Sequence, residues 1–334
     1  MSQTAESQSL SADIKIVARS DNDIAGAARA LETGELVAFP TETVYGLGAN
    51  ALDSAAVAAV FAAKRRPRFN PLIVHVADLE TARNYAQIGL VAQRLAEAFW
   101  PGPLSMVLPR RDDCRLSPLV TAGLETVALR SPAHPIAQRL LRRTGLPIAA
   151  PSANRSGKIS PTRAEDVRAE LGDLPAAILD GGPCEIGLES TVVRVADGEV
   201  EMLRFGAVTR EDIEAALGRP VKVPWGQTSD APVSPGQLSS HYAPEAKVRL
   251  NVSAPAEGEA LLAFGPDVPT FEGPVVNLSE SGDLKEAAAN FFAALRTLDQ
   301  SGATTIAAMP IPNQGLGEAI NDRLARAAAE RPNA

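Results

Sequence analysis

Hydroxyl, amide and cationic side chains recur in this chain where its apolar segments end. They are Thr41, Thr43, Lys64, Arg66, Asn70, Arg130, Ser152, Asn154, Ser190, Thr191 and Arg204. Arginine and lysine offset the charge of phosphate groups, while hydroxyls and amides orient the rest of a ligand. Such a set is typical of phosphoryl or nucleotidyl transfer, in which positioning and charge neutralisation provide most of the catalysis. We therefore expect a site for an anionic ligand, with Mg²⁺ carried in by a triphosphate.

Three short motifs resemble better known sites only in part. Residues 46–51 match the loose dinucleotide pattern G-x-G-x-x-A, but six residues separate them from the preceding strand and no suitably spaced acidic residue follows. We interpret them as a glycine-rich loop that lets the chain turn. Gly157 and Lys158 lack the first glycine of a P-loop, and Ile159 stands where a magnesium-binding hydroxyl belongs. Ser152 has no nucleophile-elbow glycines around it.

The apolar periodicity predicts two α/β domains. In the first, strands are expected at residues 36–39, 72–76, 104–108, 126–129, 147–150, 176–179, 191–195 and 200–203, and helices at 24–31, 54–63, 136–143 and 164–171. Asp197-Gly198 predicts a hairpin turn, and hence a mixed sheet.

A second, smaller domain is predicted after a stretch at 219–246 that is rich in Pro, Gly and Ser. Its strands are expected at 248–252, 260–264, 275–278 and 304–308, with a helix before the last strand and another after it. Asp283 with Glu286 predicts the start of the first helix. The predicted boundaries are 14–218 for the first domain and 247–334 for the second.

Composition narrows the class of protein. The 334 residues carry a net charge of −8, which disfavours a protein that coats nucleic acid. Two cysteines and three histidines are too few and too scattered for a disulfide scaffold or a histidine-rich metal site. No apolar run approaches the roughly 20 residues of a membrane span, and the polar residues 1–13 predict a disordered tail rather than a signal peptide. A cytoplasmic location is expected.

Several motifs, in order along the chain, resemble one family. They are PTETVYGLG from residue 40, K-x-R-P-x-x-N-P-L-x-x-H over 64–75, PSAN with SG over 151–157, ST at 190–191 and RFG at 204–206. These resemble the YrdC-like domain. SPG at 234–236, HYAP at 241–244 and NDRLARAA at 321–328 are similar to the linker and the additional C-terminal domain of its two-domain members. The chain thus resembles the long form of the threonylcarbamoyl-AMP synthase family, which implies a twisted mixed-sheet domain followed by a Rossmann-like one.

The resemblance implies a reaction. L-Threonine and bicarbonate would give N-carboxy-threonine, whose carboxylate attacks the α-phosphate of ATP and releases pyrophosphate. The product, threonylcarbamoyl-AMP, would pass transiently to proteins that transfer the threonylcarbamoyl group to an adenosine in tRNA. The enzyme would be a nucleotidyltransferase without stable nucleic-acid binding, without a membrane association and without metal ligands of its own, and Mg²⁺ would accompany the ATP.

The resemblance also implies residue roles. Lys64 and Arg66 would be catalytic and lie near the phosphates. The residues expected to bind threonine are Thr43, His75, Arg130, Ser152 and Ser190, with Arg130 binding its carboxylate. Those expected to bind the nucleotide are Arg66, Asn70, Thr126, Asn154, Thr162, Arg204 and Tyr242. Tyr242, in the linker, would fold over the pocket as a lid and shield the labile product from water.

Two alternatives remain open. A carbamoyl-transfer protein of the hydrogenase-maturation type shares the YrdC-like domain, but this sequence lacks the zinc-finger cysteines and acylphosphatase region of such proteins. A double-stranded-RNA-binding protein could use the basic cluster at 64–68, although no aromatic residues alternate with it. Glu189 is interpreted as a surface charge, and Tyr45 as either a pocket residue or a packing residue.

Overall fold

The computed structural model describes residues 16–17, 20–223 and 241–330. The predicted tail at 1–13 lies outside the described residues. Of the predicted linker at 219–246, residues 224–240 lie outside them as well. Within the described ranges, no helix is both long enough and apolar enough to cross a membrane.

The larger sheet forms the first half of the fold. Its strands are β1 (Ile16–Val17), β2 (Val37–Phe39), β3 (Gly46–Asn50), β4 (Ile73–His75), β5 (Leu104–Pro109), β6 (Thr126–Arg130), β7 (Ile148–Ala149), β8 (Ala177–Leu179), β9 (Thr191–Ala196) and β10 (Glu199–Arg204). In the described part of the chain these ten strands have the order β1-β8-β2-β3-β7-β4-β6-β5-β9-β10. The sheet contains parallel pairs, such as β4–β6 and β5–β9, and antiparallel pairs, such as β2–β3 and β5–β6, so the predicted mixed sheet is confirmed.

Eight helices accompany this sheet in the described residues. They are α1 (Asp21–Glu32), α2 (Ser54–Lys64), α3 (Leu79–Ala82), α4 (Leu90–Phe99), α5 (Pro118–Thr121), α6 (Pro135–Thr144), α7 (Ala164–Leu171) and α8 (Arg210–Leu217). Residues of α2, α4, α7 and α8 share the main apolar core on one face. Helices α1 and α6 cover only part of the opposite face, over β2, β7 and β8. The remainder of that face is available to build a site.

One predicted loop is a strand. Residues 46–51 were expected to form a glycine-rich loop, but Gly46–Asn50 is β3, antiparallel to β2. A Cβ at Gly48 would lie 2.8 Å from both Ile148 and Phe39 side-chain atoms. Glycine is therefore needed because neighbouring side chains cross the strand closely, and the loop interpretation was wrong.

The hairpin between β9 and β10 confirms the prediction made from Asp197-Gly198. Both residues have positive φ, 52° and 75°, as the tight hairpin turn requires. A register irregularity between Met202 and Arg204 interrupts the β9–β10 pairing. Such irregularities redirect side chains and are frequent beside functional sites.

The smaller sheet is entirely parallel among the described residues. Its strands are β11 (Lys247–Arg249), β12 (Ala260–Ala263), β13 (Val275–Asn277) and β14 (Thr305–Ala308), in the order β11-β14-β12-β13. Helices α9 (Leu284–Asp299) and α10 (Leu316–Ala328) complete it. The predicted cap is confirmed, because the Asp283 side chain accepts a hydrogen bond from the backbone N–H of Glu286 at 2.7 Å.

An apolar cluster joins the two sheets. Val44, Ile159 and Leu188 of the larger domain pack with residues of α9 and α10 and with Tyr242. Charged groups reinforce the contact, since Arg296 of α9 lies 3.3 Å from Asp166 and 3.2 Å from Glu170. The second domain is thereby held against the side of the first that carries the polar site.

Candidate active site

A polar cavity lies on the incompletely covered face of the larger sheet. Its volume is about 60 Å³. Strand alternation explains its floor, because Val74 and Leu129 join the main core while His75 and Arg130 point the opposite way. The cavity is lined by Thr41, Thr43, Val44, Gly46, Arg66, Ile73, His75, Arg130, Ala150, Pro151, Ser152, Glu189, Ser190, Arg204, His241 and Tyr242.

Eight of the predicted site residues therefore share one cavity wall. They are Thr43, Arg66, His75, Arg130, Ser152, Ser190, Arg204 and Tyr242. They come from segments separated by up to about two hundred positions in the chain, and the sheet brings them together.

Arg66 is held in the cavity wall by hydrogen bonds within its own loop. Its Nε donates to the Asn70 carbonyl oxygen at 3.2 Å, and its Nη2 donates to Asn70 Oδ1 at 2.6 Å and to the Pro71 carbonyl oxygen at 2.9 Å. Burial lowers the pKa of Arg66 to about 10, so the guanidinium remains charged at neutral pH. Asn70 Nδ2 is buried and has no hydrogen-bond partner in the described structure, which leaves its two N–H donors unused.

Arg204 forms the neighbouring cation. Its Nε and Nη2 donate to the Ser190 carbonyl oxygen at 3.1 and 2.9 Å, and Nη2 also reaches Ser190 Oγ at 3.1 Å. Ser190 Oγ lies 2.8 Å from Ser105 Oγ. The irregularity in β10 just before Arg204 fits this inward placement.

Lys64 supports the cavity from behind. Its Nζ donates to the carbonyl oxygens of Ser152 and Asn154, both at 2.5 Å, and Lys64 does not line the cavity wall. Burial and the nearby Arg66 lower the pKa of Lys64. Ser152 Oγ in turn donates to Asn154 Oδ1 at 2.5 Å. The structure thus places Lys64 and Asn154 together as a brace for the loop that presents Ser152.

Thr126 and Thr162, like Asn70 and Asn154, are predicted nucleotide residues that do not line the cavity. Thr126 begins β6, on the same face as Arg130 but four residues away along the strand. Thr162 is buried before α7, where its backbone N–H donates to Asp166 Oδ2 at 3.1 Å. Their contacts with a nucleotide stay predictions.

His75 is a buried neutral base on the cavity floor. Burial, and secondarily the nearby Arg130, lower the pKa of His75 to about 3. Its Nδ1 is buried and has no hydrogen-bond partner among the described residues. An uncharged imidazole with an unused ring nitrogen is suited to a polar, uncharged group of a substrate.

Two glutamates near the cavity were not assigned a role from the sequence. Glu42 Oε1 accepts from Arg130 Nη2 at 2.6 Å. Glu189 was interpreted as a surface charge, but it is 6% exposed, so that interpretation was wrong. Its Oε1 accepts from Ser160 Oγ at 2.5 Å, and its Oε2 accepts from Arg323 Nε at 3.0 Å.

Tyr242 and His241 form the cavity wall on the side of the second domain. Tyr242 has φ of 61°, a left-handed conformation that non-glycine residues seldom adopt outside constrained sites. The next residue, Ala243, donates its N–H to the Gly157 carbonyl oxygen at 2.8 Å. The Arg323 guanidinium lies 5.3 Å from the centre of the Tyr242 ring. A residue of α10 thus supports both Tyr242 and Glu189, and the sequence pattern alone did not reveal this.

Tyr45 has a packing role. It is fully buried, and its hydroxyl donates to the Gly182 carbonyl oxygen at 2.8 Å and accepts from the Gly181 N–H at 3.0 Å. Arg65 and Arg68, in contrast, are exposed, as expected for basic residues outside the K-x-R pair.

Known protein families match both domains of this chain. The sequence model of a family described as "Telomere recombination" (Sua5, YciO and YrdC) matches residues 29–206, and that of the "Threonylcarbamoyl-AMP synthase, C-terminal domain" matches 208–329. The chain belongs to the threonylcarbamoyl-AMP synthase family.

Several relatives match nearly the whole chain. A threonylcarbamoyl-AMP synthase of Bacillus subtilis is 44% identical, and the match covers 93% of this chain and 94% of the relative. That of Pyrococcus abyssi is 42% identical, with 91% and 94% covered. The crystal structure of P. abyssi Sua5 complexed with L-threonine superposes with a TM-score of 0.86 at 39% identity, covering 93% of this chain and 96% of that one. These matches confirm the family and the fold expected from the sequence motifs.

Proposed function

We propose that this chain is a nucleotidyltransferase that makes threonylcarbamoyl-AMP from ATP, L-threonine and bicarbonate. The amine of threonine first combines with bicarbonate, loses water and becomes an N-carboxylate. An oxygen of that carboxylate then bonds to the α-phosphorus of ATP, and the bond from this phosphorus to the bridging oxygen breaks. Pyrophosphate leaves with that oxygen and the electron pair.

The observation that carries the proposal is the composition of one cavity wall. Arg66, Arg130 and Arg204 line it together with His75 and hydroxyl-bearing residues. A triphosphate and an amino-acid carboxylate both need cations, whereas the threonine hydroxyl needs a neutral hydrogen-bonding partner. We assign Arg66 and Arg204 to the phosphates and Arg130 to the threonine carboxylate.

The remaining roles follow from position. Thr43, His75, Ser152 and Ser190 are assigned to threonine, because all four line the cavity. Tyr242, which lines the cavity, and Asn70 and Asn154, which contact Arg66 and Lys64, are assigned to the nucleotide. Thr126 and Thr162 are assigned to the nucleotide from the family resemblance alone. For Lys64, which the family resemblance implied to be catalytic, we propose instead that it orders the loop of Ser152 and Asn154, because its Nζ donates to their carbonyl oxygens and the residue does not line the cavity.

We assign Mg²⁺ to the substrate, as a complex with the triphosphate. In the described ranges, no group of three His, Cys, Asp or Glu side chains could hold a metal ion. Glu42 and Glu189 near the cavity are already ion-paired with arginines. The Mg²⁺ ion would therefore be held by phosphate oxygens of ATP rather than by side chains of the protein.

Movement of the wall formed by His241 and Tyr242 is part of the proposal. His241 and Tyr242 line the cavity together with the groups assigned to threonine and to the phosphates. Outward movement of this wall would let ATP and threonine enter. His241 and Tyr242 would then close again over the reactants and keep water from the mixed anhydride.

The alternative functions have less support. The RNA-binding hypothesis requires the basic cluster at 64–68 to face solvent, but Lys64 and Arg66 point inward. The carbamoyl-transfer hypothesis does not explain why the second domain matches a synthase C-terminal domain. Transfer of the product to a tRNA-modifying partner remains part of the proposal.

The proposal can be tested by following pyrophosphate release from ATP with Mg²⁺. We expect release only when L-threonine and bicarbonate are both present, and little release when L-alanine, which lacks the hydroxyl, replaces threonine. Equal release without threonine would contradict the proposal.

A further inference from the structure

Glu42 is the buried partner of Arg130. The two side chains are 8% and 4% exposed, and Glu42 Oε1 accepts from Arg130 Nη2 at 2.6 Å. The second carboxylate oxygen, Oε2, accepts from the backbone N–H of Ala133 at 3.0 Å. Both oxygens of Glu42 are therefore used, and the carboxylate is fixed in position from two directions.

Hydrogen bonds from two of its three nitrogens fix the orientation of the Arg130 guanidinium. Nε donates to the Gly102 carbonyl oxygen at 3.3 Å, and Nη2 donates to Glu42. In the described part of the chain, Nη1 makes no hydrogen bond, although Arg130 lines the cavity. A guanidinium binds a carboxylate well only when its plane and free edge face the ligand.

We propose that Glu42 is a positioning residue for the amino-acid substrate. It holds the Arg130 guanidinium so that the nitrogen left free faces the cavity and binds the substrate carboxylate. Glu42 does not line the cavity itself, so it acts through Arg130. This inference rests on the proposed function, because it needs Arg130 to bind an amino-acid carboxylate.

Two substitutions distinguish the position of the Glu42 carboxylate from its charge. Glu42→Gln keeps the shape of the side chain but has only one oxygen, so it cannot accept from both Arg130 and Ala133. Glu42→Asp keeps the charge but withdraws the carboxylate by one methylene. If position matters, both variants weaken recognition of the substrate carboxylate.

The measurement compares L-threonine with L-threoninamide, which lacks the carboxylate, by titration calorimetry on the full chain. We expect the wild type to bind threonine more tightly than threoninamide, and we express this preference as the Kd of threoninamide divided by the Kd of threonine. Each variant should lower this ratio by about tenfold, which corresponds to the loss of one charge-assisted hydrogen bond. A defect of packing alone would weaken both ligands equally and leave the ratio unchanged.

Glu259→Gln is the matched control. Glu259 also pairs with an arginine, Arg249, and accepts a backbone N–H, from Ala256, but it lies in the second domain. Its variant should keep the wild-type ratio. Arg130→Ala removes the proposed carboxylate-binding group and should give the lowest ratio of the series. The double variant Arg130→Ala/Glu42→Gln should have the same ratio as Arg130→Ala alone.

The outcomes distinguish the inference from the function on which it rests. An unchanged or larger ratio in either folded Glu42 variant overturns the inference while the proposed function stands. If the wild type itself does not prefer threonine to threoninamide, the assignment of Arg130 and the proposed function both fail.

Discussion

The two domains of this protein treat buried polar groups very differently. In the larger domain, charged and polar side chains such as Thr43, Lys64, Arg66, His75 and Arg204 are buried around one cavity. Among the described residues of the second domain, from 247 onward, the buried polar or charged side chains are Ser279, Glu318 and Arg323. Burial of charged groups lowers stability unless each is well paired, so the larger domain keeps a costly arrangement that the second does not. The comparison indicates that the chemistry belongs to the first domain.

Arg323 is the exception that connects the domains. It is fully buried, belongs to α10, and contacts Glu189 and Tyr242, which both line the cavity. The second domain therefore contributes to the site through residues that it supports rather than through groups that face the ligand.

The largest effect is expected for Arg66→Ala. The variant loses the cation assigned to the phosphates, and a decrease in pyrophosphate release on the order of 10³-fold is expected. The midpoint of thermal unfolding should change little, because Arg66 bonds within its own loop. Arg68→Ala, at an exposed position of the same loop, is the control and should keep its activity. An Arg66→Ala variant with the activity of the wild type would contradict the assignment of Arg66 to the phosphates.

A smaller effect is expected for Arg323→Met. Loss of the Arg323 guanidinium leaves the buried Glu189 carboxylate without its cation, which should lower the free energy of unfolding by about 3–5 kcal/mol. Activity should also decrease, since Tyr242 loses its support. Adding Glu189→Gln should restore part of the stability in a double-mutant cycle. Additive losses in the cycle would show that the two side chains are not coupled.

Leu261→Ala should separate stability from activity. Leu261 is fully buried in a small cluster on one face of the second sheet, with Val252 and Ala307. The cavity left behind should lower the free energy of unfolding by about 2–5 kcal/mol, as measured by urea denaturation. Activity per folded molecule should stay near that of the wild type. A large decrease in activity at full folding would show that the second domain takes part in the chemistry.

His75 should give a modest pH dependence of stability. Because burial lowers its pKa to about 3 from about 6.5, the unfolded chain binds more protons between these values. The imidazole therefore favours folding above about pH 6.5, and stability decreases as the pH falls toward 3. The slope due to His75 is at most about 1.4 kcal/mol per pH unit.

The check is a series of urea denaturations from mildly acid to neutral pH, with His75→Gln for comparison. The variant should show a smaller slope. It will not be flat, since burial also lowers the pKa of His241. Identical slopes would mean that His75 is not a buried neutral group.

Much of the fold was predictable because apolar periodicity is strong. All four strands and both helices of the second domain were predicted, as were the β9–β10 hairpin and its turn. Strand β3 was missed because glycine normally disfavours strands, and only the contacts of Gly48 with Ile148 and Phe39 explain it. Helix α8 was also missed, although Thr209 and Asp212 form a capping box at its start.

The site was predictable where its residues belong to short motifs, as with Arg66, His75 and Ser152. The roles of Glu42, Glu189 and Arg323 depend on contacts between residues 88 or more positions apart, which local pattern cannot show. The brace formed by Lys64 was hidden for the same reason.

The most direct test of the central claim is to identify the product. Incubation with ATP, L-threonine and ¹³C-bicarbonate should give an adenylate that contains threonine and carries the label, detected by mass spectrometry. The same product should be absent when Arg66→Ala replaces the wild type. An unlabelled adenylate, or a labelled one that lacks threonine, would contradict a cavity that joins all three substrates.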